Sequence, residues 1–516
     1  MTGRVLLLAV LVVAWTEAFV AGDQRRYRFA PGVTRTAATC ALADVEAKVT
    51  ASSDGDTVEI PSGTCAWTSV LTIAKAITLR GSGVGNTIIQ DNSSTDSAIV
   101  QWTLVSGRNS RMTGIEFQNL RASGVDNLNF NGVVSVSGAN TDGRRIRIDH
   151  CEFDSLRGAN IFTQDTLGVI DNNTFINPYL SVGGGGNSIA IALYVYHENW
   201  DGVTNSDASW SEPPALGTEE FLFFEDNTVT LGAGGDASYA ITDAYRGARY
   251  VVRYNTITNG WVEAHGSDSG GRKRGTRAVE IYENDFICTV TFCSYIANFR
   301  SGTGVIYNNT TTNYFGLGLI TLSSYRLFMP FSPFDQADGD STYDVNDGGS
   351  PFTSGTANGG SSSTMTVAGT PWVADEHIGR SVRKTSACAS PSTNQCASII
   401  TANTNNTLTF HGTGGYAGTA LSWTNGETYV INKVTEALDQ PGRGQGTQMT
   451  GAVPVWTNDQ VDEPLYEWNN PTSGGGDIAF NIAFPSQIRA TEHYVTNTAK
   501  PGYTAYAYPH PLRGGS

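Results

Sequence analysis

The sequence is poor in charged side chains, which make up 16% of its 516 residues, and its formal net charge is −16. A chain this short of Lys and Arg is not expected to bind nucleic acid or an anionic membrane as a general partner. No apolar run reaches the roughly 18 residues that a membrane-spanning helix needs. The spacing of the seven cysteines does not resemble a zinc site.

The first 22 residues have the pattern of a secretory signal peptide. Arg4 is followed by an apolar run at 5–15 and then by the small residues at 20–22. The pattern predicts a secreted protein, extracellular or periplasmic, and a retained anchor is the alternative. Cysteines that are near each other in sequence could pair in such an oxidising compartment. The candidate pairs are Cys40/Cys65, Cys288/Cys293 and Cys388/Cys396, with Cys151 left over as a buried, small apolar side chain.

Seven short phrases recur along the chain, and each is an alternating apolar run that ends at an Asn-like position. The index residues of these phrases are Ile115, Cys151, Asn173, Asn227, Asn255, Asn284 and Asn309. Spacings of 22 to 29 residues, with one of 36 and one of 54, are typical of a solenoid with one repeat per coil. The interval of 54 is interpreted as hiding an extra coil around 192–199. Because alternation marks strands, the pattern predicts a parallel β-helix.

Composition divides the rest of the chain into three parts. Residues 23–334 are predicted to form the β-helix, with an amphipathic helix at 42–50 closing its apolar end. Residues 335–434 are rich in Gly, Ser and Thr and lack the recurring phrase, which indicates an inserted β-sandwich-like module. That module is either a carbohydrate-binding accessory or a loop domain without function. Residues 435–516 are predicted to add a final coil and an aromatic tail at 502–512.

Two segments near the start carry a resemblance to a known family. They are GDTVEIPSGTCAW at 55–67 and AITLRGSGVGNTII at 76–89. Together with later rungs that end in Asn-Thr-Phe-like turns, they resemble the pectate-lyase-like superfamily of right-handed parallel β-helix proteins. The resemblance covers about 40–327 and implies that fold for this all-β chain. Its members include polysaccharide lyases, glycoside hydrolases, esterases, phage tailspikes and non-catalytic surface proteins.

The resemblance does not carry an activity over. IDHCEF at 148–153 is similar to a phrase of pectate lyases, but their downstream arginine motif and full set of calcium-binding aspartates are missing. Ala264-His265-Gly266 matches only part of a polygalacturonase signature, and the paired aspartates are absent. The candidate site is therefore built from strand register.

Strand alternation predicts a polar column on one outer face of the coil. Counting from each Asn-like residue, position −3 is apolar and faces inward, so position −2 faces outward. Coils stack about 4.8 Å apart, which makes the residues at position −2 neighbours. These residues are Asp149, Asp171, Glu225, Arg253, Tyr282 and Tyr307. Carboxylates, arginine and aromatic rings in one column indicate a polysaccharide groove, and an ordinary solvated face is the alternative.

Basic residues are concentrated between 244 and 302, where eight Lys and Arg stand against five Asp and Glu. This local excess predicts an anionic ligand, held near the glycine-rich loop at 261–277. The catalytic candidates are His265, Arg277, Glu280, Arg253, Tyr282 and Asp268. The substrate-binding candidates are Arg246, Trp261, Lys273, Arg300 and Tyr307.

The leading hypothesis is a lyase that cleaves a uronate-containing polysaccharide by β-elimination. Arg253 or Arg277 would neutralise the carboxylate, His265 would act as the base and Tyr282 as the acid. Calcium could neutralise the carboxylate instead, as the resemblance to superfamily lyases implies, with Asp149, Asp171 and Glu225 as its candidate ligands. On this hypothesis, Arg277→Ala should abolish turnover without affecting folding.

Two alternatives remain open at the sequence level. A glycoside hydrolase would use a pair of carboxylates, either Glu280 with Asp268 or Glu263 with Glu280. A non-catalytic protein that binds polysaccharide, or a structural surface protein, would use the same groove. In each case the predicted partner is a polysaccharide, with an anionic one favoured, and the protein is predicted to be a monomer.

Overall fold

The structure is a computed structural model in which eighteen stretches of the chain are described. These are residues 32–95, 97–121, 132–138, 145–156, 159–177, 191–198, 209–210, 212–232, 239–266, 275–314, 318–323, 351–378, 380–386, 397–410, 421–431, 440–446, 460–483 and 488–514. The predicted signal peptide, the Cys388/Cys396 pair, Asp268 and Lys273 lie outside them.

Three long sheets form the main body, and every pairing within them is parallel. The first sheet consists of Thr34–Thr36, Thr57–Ile60, Thr78–Gly81, Asn109–Thr113, Arg145–Asp149, Leu167–Asp171, Leu222–Glu225, Arg249–Arg253, Ala278–Tyr282, Thr303–Tyr307, Leu465–Trp468 and Tyr494–Val495. The second consists of Gly63–Trp67, Thr87–Asp91, Glu116–Asn119, Glu152–Asp154, Thr174–Asn177, Thr228–Leu231, Thr256–Thr258, Asp285–Ile287 and Thr310–Thr312. The third consists of Leu71–Ile73, Val100–Thr103, Val134–Ser137, Ile161–Gln164, Leu193–Tyr196, Tyr239–Tyr245, Gly260–Ala264, Ala297–Phe299, Ile320–Leu322 and Phe480–Ile482.

The chain visits the three sheets in turn, and one such circuit is called a coil below. Each strand therefore pairs with the equivalent strand of the next coil, which confirms the predicted parallel β-helix. Parallel crossover connections of this kind are right-handed in almost all proteins, as the resemblance also implied. Inward side chains stack from coil to coil, as in Phe117, Phe153 and Phe175, whose ring centroids are 5.3 and 4.9 Å apart.

A helix closes the N-terminal end of the β-helix, as predicted. It spans Leu42–Ala51 and buries Val45 and Val49. A disulfide between Cys40 and Cys65 ties its leading segment to the second sheet. The predicted Cys288–Cys293 bond is also present, and Cys151 is buried and free. Both bonds are compatible with a secreted protein.

The recurring Asn-like residue forms the corner between the first and second sheets. The residue before it has a left-handed backbone, with φ between 52° and 56° at His150, Asn172, Asp226, Tyr254, Glu283, Asn308 and Asn469. Each buried asparagine then bonds to the next one, so that the Asn227 amide oxygen accepts from the Asn173 backbone N–H at 2.9 Å. The ladder consists of Asn173, Asn227, Asn255, Asn284, Asn309 and Asn470.

The interval of 54 residues does not contain an extra coil, so this interpretation was wrong. Gly168–Asp171 pairs directly with Leu222–Glu225. Leu193–Tyr196, in the segment assigned to the extra coil, lies in the third sheet of the same coil. The interval is therefore one coil with long connections between its strands.

The predicted β-rich insertion is present as a seven-stranded antiparallel sheet. Its strands are Thr353–Thr356, Gly359–Gly360, Thr364–Thr366, Ser381–Lys384, Ala397–Asn403, Thr407–Phe410 and Thr428–Ile431. It has a separate core that includes Met365, Val382 and Leu408. A two-stranded sheet of Arg443–Gly446 and Gln460–Asp462 follows, and a short 3₁₀ helix at Pro511–Gly514 ends the described chain. Of the helices described, none has the length and apolar character to cross a membrane.

The asparagine ladder generates a stability prediction. Asn227→Ala should lower the free energy of unfolding by about 3 kcal/mol, because it leaves buried backbone groups such as the Ile170 carbonyl without a partner. Thr228→Ala is the matched control, since this neighbouring side chain is exposed on the second sheet, and it should cost less than about 1 kcal/mol. Denaturant unfolding of both variants measures the difference, and equal losses would contradict the structural role of the ladder.

Candidate functional site

The predicted column exists as a row of neighbours on the outer face of the first sheet. Asp149 pairs in register with Asp171, Asp171 with Glu225, and Glu225 with Arg253. The row continues from Arg253 through Tyr282 to Tyr307 and ends at Trp468. The order predicted from the repeats is thus the order in space.

The C-terminal tail, residues 502–514, covers this row. The Arg253 guanidinium donates to the backbone carbonyls of Tyr506 and Ala507, both at 2.8 Å. The backbone N–H of His510 donates to the Glu225 carboxylate at 3.0 Å. Glu225 and Arg253 are fully buried as a result. The row is therefore a packing surface for the tail, and its polar groups are committed to the protein itself.

The three candidate calcium ligands do not fit a metal site. Asp149 forms an ion pair with Arg111 at 2.7 Å, and Asp171 pairs with Arg147 at 2.9 Å. Glu225 is held between Arg253 and Arg513, at 2.6 and 2.8 Å. A guanidinium thus occupies the place that a cation would take. Within the described residues, no group of three or more His, Cys, Asp or Glu is arranged to hold a metal ion.

Arg277 is also a buried structural residue. Its guanidinium lies 2.7 Å from the Glu463 carboxylate and donates to the backbone carbonyls of Ser209 and Glu212. It also lies over the ring of Trp210, 5.3 Å from the centroid. These contacts hold residues 209–210 and Glu212, together with the segment after the insertion, against the first sheet. The expectation that Arg277→Ala leaves folding intact does not agree with this environment.

Glu280 and the two tyrosines are held by the tail in a similar way. The Glu280 carboxylate accepts from the Tyr503 hydroxyl at 2.6 Å and from the Gly217 backbone N–H. Burial raises its pKa to about 6. The ring of Tyr282 stacks on that of Tyr307, 4.8 Å away. Burial raises the pKa of both tyrosines, which keeps them protonated.

A second polar cluster lies at the third sheet, where the structure brings His265 together with the substrate-binding candidate Arg300 and with Asp243 and Tyr245, which were not selected from the sequence. The His265 Nδ1 is 3.0 Å from the Asp243 carboxylate and 2.8 Å from the Arg300 guanidinium. The ring of Tyr245 meets the imidazole edge-on, with centroids 5.6 Å apart. A base, a carboxylate that orients it, a cation and a phenol are thus collected at one place.

Glu263 holds the cation of this cluster in position. Its carboxylate accepts from Arg300 Nε at 2.7 Å and from the Asn298 side-chain amide at 3.0 Å. The indole N–H of Trp261 donates to the same carboxylate at 3.1 Å. Glu263 and Glu280 lie on different sheets, so this one of the two carboxylate pairs predicted for a hydrolase is not brought together. The other predicted pair, Glu280 with Asp268, includes a residue outside the described ones.

Two tyrosine rings border the cluster on the preceding coil. Tyr194 and Tyr196 stand on the strand that pairs with the one bearing Asp243 and Tyr245. The Tyr196 hydroxyl donates to the Tyr245 hydroxyl, and burial raises the pKa of Tyr196. The Arg246 guanidinium lies 4.8 Å from the centre of the Tyr196 ring and forms an ion pair with Glu198.

Asp243, Tyr245 and Tyr196 were missed because the sequence register was indexed on the first sheet alone. A usable signal exists in YAITDAY at 239–245, where alternation puts Asp243 and Tyr245 on the same side of a strand. Of the earlier candidates, His265, Trp261, Arg300 and Arg246 belong to this second region. Arg253, Arg277, Glu280, Tyr282 and Tyr307 belong to the face that the tail and its neighbours cover.

Comparison with known proteins adds structural likenesses only. No family model matches the chain, and no curated protein matches it. Among solved structures, an alginate lyase from Paenibacillus sp. str. FPU-7 is 12% identical, with a TM-score of 0.33, and the match covers 56% of this chain and 98% of that one. The A-module of a mannuronan C-5 epimerase from Azotobacter vinelandii is 14% identical, with a TM-score of 0.25 and coverage of 54% and 86%.

The catalytic domain of a GH87 alpha-1,3-glucanase in complex with tetrasaccharides is 12% identical, with a TM-score of 0.30. That match covers 57% of this chain and 60% of the glucanase chain. At these TM-scores the likenesses do not assign an activity. The candidate site depends on the contacts described above.

The raised pKa of Glu280 predicts a pH-dependent stability. Protonated Glu280 stabilises the fold below its usual pKa of 4.5, and this contribution is lost as the pH rises through about 6. The free energy of unfolding of Glu280→Gln should therefore rise relative to wild type by about 2 kcal/mol from pH 4 to pH 7. Glu283→Gln, at an exposed position, is the control. The prediction would be contradicted if the difference in free energy of unfolding between Glu280→Gln and the wild type stayed constant with pH.

Arg277→Ala should destabilise the protein. Removing the guanidinium leaves Glu463 without its ion-pair partner and the Glu212 carbonyl without the hydrogen bond from Arg277, which should cost about 3 kcal/mol or more. The Ser209 carbonyl keeps its hydrogen bond from Arg249. Arg80→Ala is the matched control, because that arginine is half exposed and pairs with Glu59 at the surface. Thermal unfolding of the two variants tests the assignment, and a similar small loss in both would overturn it.

Proposed function

We propose that the protein binds an acidic, uronate-containing polysaccharide at the outer side of the third sheet and cleaves it by β-elimination. The observation that carries the proposal is the placement of His265 between Asp243 and Arg300, beside Tyr245. The site differs from the first-sheet row predicted from the sequence, whose polar groups bind the tail. The predicted signal peptide and the two disulfides support secretion, and we propose that the protein acts as a monomer.

His265 acts as the base in the proposed reaction. In the tautomer that carries its proton on Nδ1, His265 donates to Asp243 and Nε2 is the basic atom that removes the proton at C5 of the uronate. Nδ1 then does not accept from Arg300, and the Asp243 carboxylate stabilises the imidazolium that forms. Arg300 binds the uronate carboxylate, because its planar guanidinium can contact both oxygens and spread the charge that develops there. Arg300 therefore neutralises the uronate carboxylate, the role that the sequence analysis assigned to Arg253, Arg277 or calcium.

Tyr245 acts as the acid. As the bond between C4 and the glycosidic oxygen breaks, its phenol gives a proton to the departing oxygen, and a double bond forms between C4 and C5. The hydrogen bond from Tyr196 stabilises the phenolate left on Tyr245. The proton on His265 then returns to Tyr245, directly or through water, and restores both groups. The reaction needs no oxidant or reductant.

A glycoside hydrolase is the second candidate, and one observation favours it. Asp243 and Glu263 stand on paired strands, so their backbones are about 4.8 Å apart. A retaining glycosidase holds its two carboxyl groups about 5 to 5.5 Å apart. The lyase is preferred because both carboxylates are engaged by neighbouring side chains, Asp243 by His265 and Glu263 by Arg300. A hydrolase needs a carboxylic acid that can give its proton to the leaving oxygen, and neither carboxyl group is placed for that role.

Incubation with a panel of uronate-containing polysaccharides tests the proposal. We expect the ultraviolet absorbance of an unsaturated uronate product, and we expect His265→Ala to lower its rate of formation at least about 100-fold. The variant should keep the thermal stability and the polysaccharide binding of the wild type. New reducing ends without the absorbance would favour the hydrolase. Binding without cleavage would favour a non-catalytic protein, and an active His265→Ala would exclude this site.

A further inference from the structure

Three aromatic rings lie on consecutive coils beside the proposed site. Tyr239 begins one strand of the third sheet, Trp261 stands on the next strand, and Tyr295 lies two residues before the strand after that. The ring of Trp261 is nearly parallel to that of Tyr239, with centroids 6.3 Å apart, and meets the ring of Tyr295 edge-on at 4.9 Å. All three residues are half-buried, and Tyr239 also packs against the hydrophobic core of the β-helix.

The protein holds these rings in fixed positions. The indole N–H of Trp261 donates to Glu263, which also binds Arg300 of the acid–base cluster. The loop before Tyr295 is closed by the Cys288–Cys293 disulfide. Thr289 in that loop exchanges hydrogen bonds with the buried Asn259. Rings that are already immobile before a ligand arrives cost little ordering entropy on binding.

The chemistry of the three rings fits the apolar face of a sugar. Pyranose rings present C–H groups on their faces and hydroxyls at their edges, so they stack on flat aromatic rings while their hydroxyls stay hydrated. Aromatic side chains supply a large, rigid contact area of this kind. Coils repeat about every 4.8 Å, a distance similar to the length of one sugar unit, and a chain laid along the coil axis meets a new ring at each step.

We propose that Tyr239, Trp261 and Tyr295 form a second sugar-binding subsite that extends the proposed catalytic site. It binds neighbouring pyranose units of the same polysaccharide by stacking, about one unit per coil. The identity of the polymer rests on the proposed function. The subsite makes the protein prefer long chains to short fragments, because only a long chain reaches the rings and the His265 cluster together.

Binding measured in the His265→Ala background tests the subsite without turnover. Affinity gel electrophoresis with a long uronate polysaccharide is compared with binding of its di- and trisaccharides. Adding Trp261→Ala or Tyr295→Ala should weaken binding of the long chain roughly tenfold and change the binding of the short fragments much less. Trp261→Phe should restore part of the loss, since it keeps a ring but not the indole N–H.

Phe292→Ala is the matched control, because Phe292 is an exposed aromatic residue in the same disulfide loop but is not one of the three rings. It should bind the long chain as the parent does. Unchanged binding in both Trp261→Ala and Tyr295→Ala, or equal weakening for long and short chains, overturns the subsite. If these variants lose binding while the wild type makes no unsaturated product, the subsite stands and the lyase proposal fails. A wild-type protein that binds no polysaccharide overturns both.

Discussion

The fold depends on the hydrogen bonds that each buried asparagine makes to the next coil. At the turns from the first to the second sheet that the ladder Asn173 to Asn470 occupies, one residue takes a left-handed backbone and the next turns its amide into the core. The amide satisfies backbone groups that the turn would otherwise leave without a partner in a low-dielectric interior. Because the bonds run between coils, they also fix the register, and with it which side chains become neighbours on all three sheets.

Part of this architecture could be predicted from the sequence because strand alternation is local. The recurring phrase identified the corner, the inward residues and the order of the row from Asp149 to Tyr307. It could not predict that the row is buried. The covering segment lies some 250 residues away from Arg253, and periodicity carries no information about what packs on an outer face. The interval of 54 residues was misread for a related reason, since strand pattern does not distinguish a long connection from an additional coil.

The segment at 261–277, which the sequence singled out as a loop, begins inside the strand Gly260–Ala264, and its described residues separate in space. His265 and Trp261 belong to the third sheet, whereas the side chain of Arg277 turns toward Ser209 and Glu212. The excess of Arg between 244 and 302 has a structural explanation as well. Arg253 neutralises the buried Glu225, and Arg277 neutralises Glu463. A carboxylate that is buried away from water needs a positively charged partner. A cluster of basic residues in the sequence can therefore serve buried carboxylates and need not mark a ligand site.

The tail also changes how the solenoid can come apart. In repeat proteins each unit touches only its neighbours, so the terminal units can unravel while the middle stays folded. Here the tail runs from Glu280, through Arg253 and Glu225, to Arg147, and so contacts coils that do not touch one another. If any one of these coils unfolds, the tail is released from it and loses contacts with the other coils as well. Partial unwinding from the C-terminal end is thereby suppressed, and the body of the protein should melt as a single cooperative unit.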